Sequence, residues 1–217
     1  MTQLLRVHNF TVSRDGFGSG AGQSLEQPFG HADVTRLMAW FFPTASFAQG
    51  HGTADPTGSR GLDDYFARDF NNNIGAEIMG RNKFGPQRGP WENVDWQGWW
   101  GDVPPFHTPV FVLTHHPRPS FTLADTTFHF LDATPAEALA QAREAAGGKD
   151  VRLGGGVATV REFLDAGLID TLHVVVAPID LGRGEQLWSG PDDLEDRYHH
   201  ESVASPSGVT HHIFWRS

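Results

Sequence analysis

The sequence predicts an α/β protein with a mostly parallel central sheet and an antiparallel hairpin at its carboxyl end. Strand-like and helix-like segments alternate from residue 4 to residue 177, the order that places helices between parallel strands. Two further strand-like segments, 198–204 and 209–215, flank the turn-forming run Ser205-Pro206-Ser207-Gly208 and predict the hairpin. No segment reads as an interdomain linker, so we expect a single domain over residues 1–217.

The first third of the chain contains regular elements and a long insertion. Residues 4–12 alternate apolar and polar side chains as a strand does, and residues 13–18 form a turn. From about residue 19 to 61 the chain is rich in Gly, Pro and Ser, interrupted by a short helix predicted at 34–42 and stopped by Pro43. A helix at 62–71, a strand at 74–79 and a turn or helix at 80–84 follow.

A second insertion, 85–109, is rich in Gly and Pro and holds Trp91, Trp96, Trp99 and Trp100. Such rings can stack on a sugar or a base, but an aromatic plug within a Gly-rich loop is the favoured interpretation. Strands are predicted at 110–114 and 127–131.

The helix after residue 134 carries the clearest signals. Thr134 and Glu137 form a capping box, and Pro135 takes the first helical position. Gly147-Gly148 ends the helix.

Residues 150–187 form the most informative segment. Val151 and Leu153 predict a short strand, and three glycines, Gly154-Gly155-Gly156, follow directly. An apolar stripe through Val157 and Leu164 predicts a helix, and the apolar run 172–177 predicts a strand covered on both faces.

The glycine triplet lets backbone come very close to a neighbour, and two interpretations remain open from the residues alone. One is a ligand's phosphates held at the positive end of the following helix, and the other is a packing turn against a neighbouring strand. The spacing is not G-x-G-x-x-G and no acidic residue follows about 20 residues later, so the dinucleotide fingerprint of doubly wound folds is absent.

Composition excludes several classes of protein. The net charge of −10 argues against nucleic acid or an anionic membrane surface as a partner, because both need a basic footprint. The absence of cysteine excludes disulfides, thiolate catalysis and Cys-based zinc sites. No signal segment and no apolar run of about 18 residues is present, so we expect a soluble, cytoplasmic protein.

The segment 150–187 resembles the carboxyl half of the dihydrofolate-reductase-like superfamily through GGG at 154–156, FLDAGLID at 163–170 and AP-x-x-LG-x-G at 177–184. The nearest branch is the reductase domain of the bifunctional riboflavin-biosynthesis deaminase/reductase and its stand-alone bacterial relatives. This resemblance implies a three-layer α/β/α fold, NADPH as cofactor and, as in relatives of this type, a homodimer. The chain lacks the zinc motif of the deaminase domain, so we expect at most the reductase half.

The resemblance also implies the cofactor-binding residues, which fall in four segments. In the family, the loop after the first strand passes beneath the nicotinamide, a Gly-Arg junction faces the 2′-phosphate, and the glycine triplet faces the pyrophosphate. The first two triplet glycines, Gly154 and Gly155, are expected to be joined by a cis peptide. The implied residues are Thr11, Ser13, Gly16, Gly80, Arg81, Lys83, Thr114, His115, Gly154, Gly155, Gly156, Val157, Ala158 and Thr159.

Other candidate groups are weaker. Asp64 lies roughly where dihydrofolate reductases place the pterin-binding carboxylate, and we retain it as the candidate catalytic residue in contact with substrate. The pairs His199-His200 and His211-His212 face each other across the predicted hairpin, but without Cys or a clear carboxylate partner we expect no metal site.

The sequence thus favours an NADPH-dependent reductase similar to 5-amino-6-(5-phosphoribosylamino)uracil reductase. It would transfer hydride to a small heterocyclic or ribosylamino substrate, with insertions 19–61 and 85–109 reshaping the pocket. The alternatives are a non-catalytic nucleotide- or flavin-binding protein on the same fold and a reductase of pterin substrates. A carbohydrate-binding module, suggested by the Trp-rich loop, conflicts with the capped helix.

Overall fold

Eleven strands and six α-helices lie within residues 2–50 and 57–217, the part of the chain that the computed structural model describes. The strands are β1 (Leu5–Ser13), β2 (Phe17–Gly20), β3 (Ile74–Gly80), β4 (Val110–Leu113), β5 (Phe121–Leu123), β6 (Thr126–Leu131), β7 (Asp150–Leu153), β8 (Thr171–Ala177), β9 (Gly184–Gln186), β10 (Tyr198–Ala204) and β11 (Thr210–Arg216). The helices are α1 (Val34–Leu37), α2 (Ala45–Gly50), α3 (Leu62–Arg68), α4 (Arg81–Phe84), α5 (Pro135–Ala145) and α6 (Val157–Asp165). Short 3₁₀ turns cover Asp69–Asn71 and Pro191–Leu194.

The chain divides into two units. Unit 1 comprises Met1–Val7, Gln23–Pro28 and Asn73–Asp170, and unit 2 comprises His8–Gly22, Phe29–Asn72 and Thr171–Ser217, each as far as it is described. Strand β1 passes from unit 1 into unit 2 after Val7. The expected single domain stays a prediction.

Unit 1 is built on strands in the order β1-β7-β3-β4-β6-β5. All neighbouring pairs are parallel except β5, which runs antiparallel to β6. Helix α5 packs against β3, β4 and β7, and α6 packs against β3. The chain runs outward from β3 through β4 to β6 and then returns to β7 on the opposite side of β3. Open α/β sheets bind ligands at the carboxyl ends of strands where the order reverses in this way.

Unit 2 carries the antiparallel part of the fold. The carboxyl-terminal hairpin pairs β10 with β11 from Tyr198↔Arg216 to Ala204↔Thr210, which confirms its prediction. Strand β11 also pairs antiparallel with β8, and β2 pairs with β9 in a separate two-stranded sheet. The buried side chains of Trp40, Val175 and Val209 form a core of this unit.

Most predicted elements are present, and the differences have local causes. The capping box of α5 forms as predicted: the Thr134 hydroxyl accepts the Glu137 N–H, and the Glu137 carboxylate accepts the Thr134 N–H. The helix predicted at 34–42 is shorter, because α1 ends at Leu37 and turns follow. Strands β2, β5 and β9 were not predicted, since their three or four residues (FGSG, FTL and GEQ) contain too few apolar side chains to show an alternating pattern. Part of the 19–61 insertion, residues 51–56, lies outside the described residues.

The insertion 85–109 is an aromatic plug in unit 1, as predicted. Trp91, Trp96 and Trp100 pack against a core that includes Phe84 and Phe128. Within the described residues, no helix is long and apolar enough to cross a membrane.

Candidate functional site

Three strand ends place predicted site residues side by side in unit 1. The parallel register aligns Ile78 with Leu153 and Gly80 with Leu113. The residues that follow these strands therefore emerge at one edge of the sheet, at the position where the strand order reverses. They are Gly154-Gly155-Gly156 after β7, Arg81 after β3 and Thr114-His115 after β4.

The glycine triplet and the Gly80-Arg81 junction touch directly. The Gly80 N–H donates a hydrogen bond to the Gly155 carbonyl at 2.7 Å, and the Gly154 N–H donates to the Ile78 carbonyl at 2.8 Å. A side chain on Gly80 would collide with the Thr159 hydroxyl. The two motifs that the family resemblance assigns to one cofactor therefore lie side by side, and their role in binding it stays a prediction.

The cis peptide in this segment joins Gly155 to Gly156. The prediction of a cis bond between Gly154 and Gly155 is therefore wrong by one residue.

The surroundings of the three glycines differ. A Cβ on Gly154 would collide with the Glu77 carboxylate and the Lys83 ammonium, and Gly155 has a φ of 105°, in the left-handed region. A Cβ on Gly156 would meet no atom within 4 Å. The two interpretations of the triplet thus apply to different residues: Gly154 packs against charged side chains, and Gly156 borders open space.

Helix α6 begins beside this open space, and no side chain among the described residues caps its N-terminus. Its N-cap is Gly156, which makes no side-chain hydrogen bond, whereas α5 has a complete capping box. Val157 and Thr159 are buried and Ala158 is exposed in the first turn. Uncapped N–H groups and the positive end of the helix dipole together favour an anion at this position.

The Arg81 guanidinium lies against the Trp-rich segment. Its Nη1 donates to the Gly89 carbonyl at 2.5 Å, and its centre lies 3.9 Å from the Trp91 ring centroid. Burial lowers the pKa of Arg81. Among the described residues, no hydrogen-bond partner is present for the buried atoms Nε and Nη2, which form the edge that binds phosphate oxygens side-on.

Lys83 joins a buried ion pair next to the triplet. Glu77 is fully buried and pairs with Arg152 on the adjacent strand and with Lys83 Nζ at 3.1 Å. Burial lowers the pKa of Lys83, Glu77 acts to raise it and Arg152 acts to lower it. The Lys83 ammonium thus places a positive charge beside Gly154.

The two residues after β4 differ in how accessible they are. Thr114 is buried, and its hydroxyl accepts the His116 N–H at 3.1 Å. The His115 side chain is 93% exposed and lies 3.0 Å from the Asp132 carboxylate. Their role toward a cofactor stays a prediction.

In unit 2, the predicted loop residues are held by internal contacts. The Thr11 hydroxyl accepts the Trp40 indole N–H at 2.9 Å. The Ser13 hydroxyl donates to Asp15, and a Cβ on Gly16, which has a φ of 84°, would collide with the Trp188 carbonyl.

Asp15, which was not among the predicted site residues, holds the loop after β1 in place. Its carboxylate accepts the N–H groups of Leu181 and Gly182, at 3.0 and 2.6 Å. Burial acts to raise the pKa of Asp15, but the hydrogen bonds from Ser13, Leu181 and Gly182 outweigh it and the pKa is lowered. The carboxylate thus joins two segments on which the family resemblance rests.

Asp64 has a structural contact in unit 2. It is buried in α3 and accepts the Ser46 N–H at 2.8 Å, which ties α3 to the start of α2. Its contact with substrate stays a prediction.

Asp63, the residue before Asp64, begins a chain of hydrogen bonds through His211 and His173 that was not predicted from the sequence. His211 Nε2 lies 2.9 Å from Asp63, His211 Nδ1 lies 3.0 Å from His173 Nε2, and His173 Nδ1 accepts the Asn9 N–H at 3.3 Å. The Asn9 N–H can only donate, so His173 Nδ1 carries no proton and His173 Nε2–H donates to His211 Nδ1. The proton of His211 therefore lies on Nε2, which donates to Asp63, and both rings are neutral. Burial lowers the pKa of both histidines, in agreement with this assignment.

The predicted facing of the two histidine pairs across the carboxyl-terminal hairpin occurs in one contact, between His200 and His212. His200 Nε2 lies 2.9 Å from His212 Nδ1, while the His199 ring lies beside Trp215. Within the described residues, no group of three or more His, Cys, Asp or Glu side chains is arranged to hold a metal ion.

Comparison with known proteins gives a consistent result. The family model described as the RibD C-terminal domain matches residues 7–205. Among solved structures, a protein assigned to riboflavin biosynthesis from Shewanella sp. PV-4 is 18% identical over 99% of both chains, with a TM-score of 0.58. A pyrimidine reductase-like protein from Corynebacterium diphtheriae is 15% identical over 99% of this chain and 92% of that one, with a TM-score of 0.52.

A third structure is the bifunctional diaminohydroxyphosphoribosylaminopyrimidine deaminase/5-amino-6-(5-phosphoribosylamino)uracil reductase from Thermotoga maritima. It is 12% identical over 99% of this chain and 57% of that one, with a TM-score of 0.53. No curated protein sequence matches the chain. At these identities the solved structures show the fold, and the family model shows the family. The chain therefore belongs to the RibD C-terminal domain family, a family of NADPH-dependent pyrimidine reductases with the dihydrofolate-reductase-like fold.

Proposed function

We propose that the chain is an NADPH-dependent reductase in which unit 1 binds the phosphates of the cofactor. The observation that carries this proposal is the contact between the glycine triplet and the Gly80-Arg81 junction, through the hydrogen bond from Gly80 N–H to Gly155 O. This contact lies where the strand order reverses, beside the uncapped N-terminus of α6.

The residues present suit a phosphorylated dinucleotide. The pyrophosphate needs N–H donors and positive charge, which the first turn of α6 and the Lys83 ammonium supply. Open space beside Gly156 allows an anion to approach the backbone. Among the described residues, the buried Nε–Nη2 edge of Arg81 has no partner, and a turn of this side chain would present to a 2′-phosphate the donor geometry that it requires.

NADPH, when bound, supplies the hydride, and the chain's residues bind and orient it. We propose as substrate 5-amino-6-(5-phosphoribosylamino)uracil or a related heterocyclic or ribosylamino compound, since the Thermotoga maritima relative is described as the reductase of that compound. The remaining predicted contacts, Thr11, Ser13, Gly16, Thr114 and His115, are proposed for the cofactor, and Asp64 for the substrate.

A pair of matched substitutions tests the phosphate site. Ala158 and Ala136 are both exposed and both occupy the second position of a helix, in α6 and α5. A glutamate there interacts favourably with either helix dipole and leaves folding intact, but at 158 it repels phosphate. We expect Ala158→Glu to raise the Kd for NADPH at least tenfold and Ala136→Glu to leave it unchanged, both measured by fluorescence titration. If the two substitutions change the Kd for NADPH equally, the phosphates do not bind at the N-terminus of α6.

Discrimination between cofactors tests Arg81. Only NADPH carries the 2′-phosphate, so Arg81→Ala should raise the Kd for NADPH by about tenfold to a hundredfold and leave that for NADH nearly unchanged. If the Kd values for NADPH and NADH rise equally, Arg81 does not bind the 2′-phosphate. The whole proposal fails if the wild-type protein does not bind NADPH at millimolar concentration.

One observation favours the alternative of a non-catalytic nucleotide-binding protein. The only carboxylate predicted to act in catalysis, Asp64, is buried and accepts the Ser46 N–H. Oxidation of NADPH, followed by absorbance in the presence of pyrimidine and pterin substrates, separates the two functions: binding without oxidation supports the alternative.

A further inference from the structure

The buried charges on β3, β7 and α4 form an arrangement that the family resemblance did not predict. Glu77 lies in register with Arg152 on the adjacent parallel strand, and both side chains are at most 1% exposed. Burying such a pair is costly unless each charge is matched closely. A buried ion pair beside a proposed ligand site therefore calls for a role in that site.

Lys83 connects this pair to the site. Its Nζ lies 3.1 Å from Glu77 Oε1, while Arg152 binds the other carboxylate oxygen, so the two cations share one acceptor. The Lys83 side chain is 26% exposed, which makes it the member of the group that solvent reaches. The Lys83 ammonium and the Glu77 carboxylate both occupy the space that a Cβ on Gly154 would need. The ammonium is thus held directly over the first glycine of the triplet.

The surrounding fold limits where Lys83 can point. The indole N–H groups of Trp99 and Trp96 donate to the carbonyls of Lys83 and Phe84, each at 2.9 Å, and hold the end of α4. The ammonium has three N–H donors, of which Glu77 accepts one.

We propose that the Glu77–Arg152 ion pair is a positioning device that holds the Lys83 ammonium over Gly154, so that this ammonium binds the pyrophosphate of the dinucleotide. Glu77 accepts one of the three N–H donors of Lys83, and the oxygens of a ligand polyphosphate can accept the others. The inference rests on the proposed function for the identity of the ligand.

The two lysines of the sequence, Lys83 and Lys149, provide an internal control. In protein labelled with ¹⁵N-lysine, we expect inorganic pyrophosphate and NADPH to shift the Lys83 ammonium signal and to leave that of Lys149, which is exposed, in place. An unchanged Lys83 signal with either bound ligand would overturn the inference.

Cofactor binding as a function of pH tests the positioning role. Binding through a charged ammonium weakens as the pH rises and Lys83 loses its proton, so the wild-type Kd for NADPH should increase at alkaline pH. Lys83→Met should weaken binding about tenfold to a hundredfold at neutral pH and remove that increase. Lys149→Met should behave as the wild type. Glu77→Gln takes away the charge that favours protonated Lys83, so the increase should begin at lower pH.

Glu77→Gln removes the carboxylate that Arg152 and Lys83 share, and the double variant Glu77→Gln, Arg152→Met serves if the single variant does not fold. A double variant with wild-type affinity and pH profile would show that the pair has only a structural role.

If Lys83→Met binds NADPH as the wild type does, this inference fails and the proposed function stands. If NADPH does not bind but inorganic pyrophosphate shifts Lys83 alone, the proposed function fails and Lys83 remains a polyphosphate site.

Discussion

Acid should destabilise the protein through the half-buried His212. Its ring lies against His200 and near Phe214 and Trp188 in the carboxyl-terminal part of unit 2. Burial, with the nearby His200 and His211, lowers the pKa of His212 from 6.5 to about 4. A histidine whose pKa is lower in the folded than in the unfolded state contributes its full stabilisation above the unfolded value. That contribution is lost as the pH falls from about 6.5 towards 4.

The linkage gives the size of the effect. With pKa values of 6.5 unfolded and about 4 folded, the stabilisation lost between neutral pH and about pH 5 is about 2 kcal/mol. Because water reaches part of the ring, screening reduces this to about 1–2 kcal/mol. Carboxylates titrate mostly below pH 5, so this interval reports mainly on histidines.

Urea unfolding at about pH 7.5 and pH 5 measures this loss. In His212→Gln, the loss of stability between the two pH values should be smaller than in the wild type by about 1–2 kcal/mol. His199→Gln serves as the control, since the His199 ring is exposed on the same hairpin, and it should retain the wild-type loss. His173 and His211 still titrate in both variants. Stability curves of wild type and His212→Gln that stay parallel over this range would refute the reasoning.

Three further predictions concern other parts of the chain. Asp15→Asn should destabilise unit 2 by about 1–2 kcal/mol, because the carboxylate accepts two backbone N–H groups. Since the pKa of Asp15 is lowered from 3.8, the difference from wild type in urea unfolding should begin to shrink as the pH falls through that value and should vanish below the lowered pKa. A difference that does not change with pH in this range would contradict the prediction. Gly154→Ala should cost about 3 kcal/mol or prevent folding, because the new methyl group meets Glu77 and Lys83, whereas an unchanged urea midpoint would show that these side chains can move away. The expected homodimer should give by light scattering twice the 23.9 kDa of one chain, and a mass of one chain would reject it.

Local signals in the sequence predicted the parts of the fold that depend on neighbouring residues. The capping box at Thr134 and the turn at 205–208 each lie within a few residues, so their geometry follows from local chemistry. The contact of Gly80 with Gly155 joins segments about 75 residues apart, and only the family resemblance brought them together. Residue periodicity alone would have left the triplet as either a packing turn or a phosphate site.

The contacts that sequence reasoning missed are those between distant polar side chains. Asp63, His173 and His211 form one hydrogen-bonded chain, yet nothing near each of them in sequence indicates its partner. Glu77 lies in a buried strand where an apolar residue would be expected, and this departure from the pattern was the available signal for the ion pair with Arg152. The Trp-rich segment was correctly assigned as a plug, but its contact with Arg81 depends on the loop conformation.

The distribution of charge is compatible with the anionic cofactor that we propose for this acidic protein. The net charge of −10 repels NADPH at long range, but at physiological ionic strength interactions between exposed charges are screened beyond about 8 Å. Partly buried groups at contact distance are screened much less. The Lys83 ammonium and the N-terminus of α6 would act at contact distance on the proposed cofactor, so they would determine the sign of the interaction. Salt should therefore weaken NADPH binding less than it weakens the binding of polyanions to proteins with a broad basic surface, because it screens repulsion and attraction together.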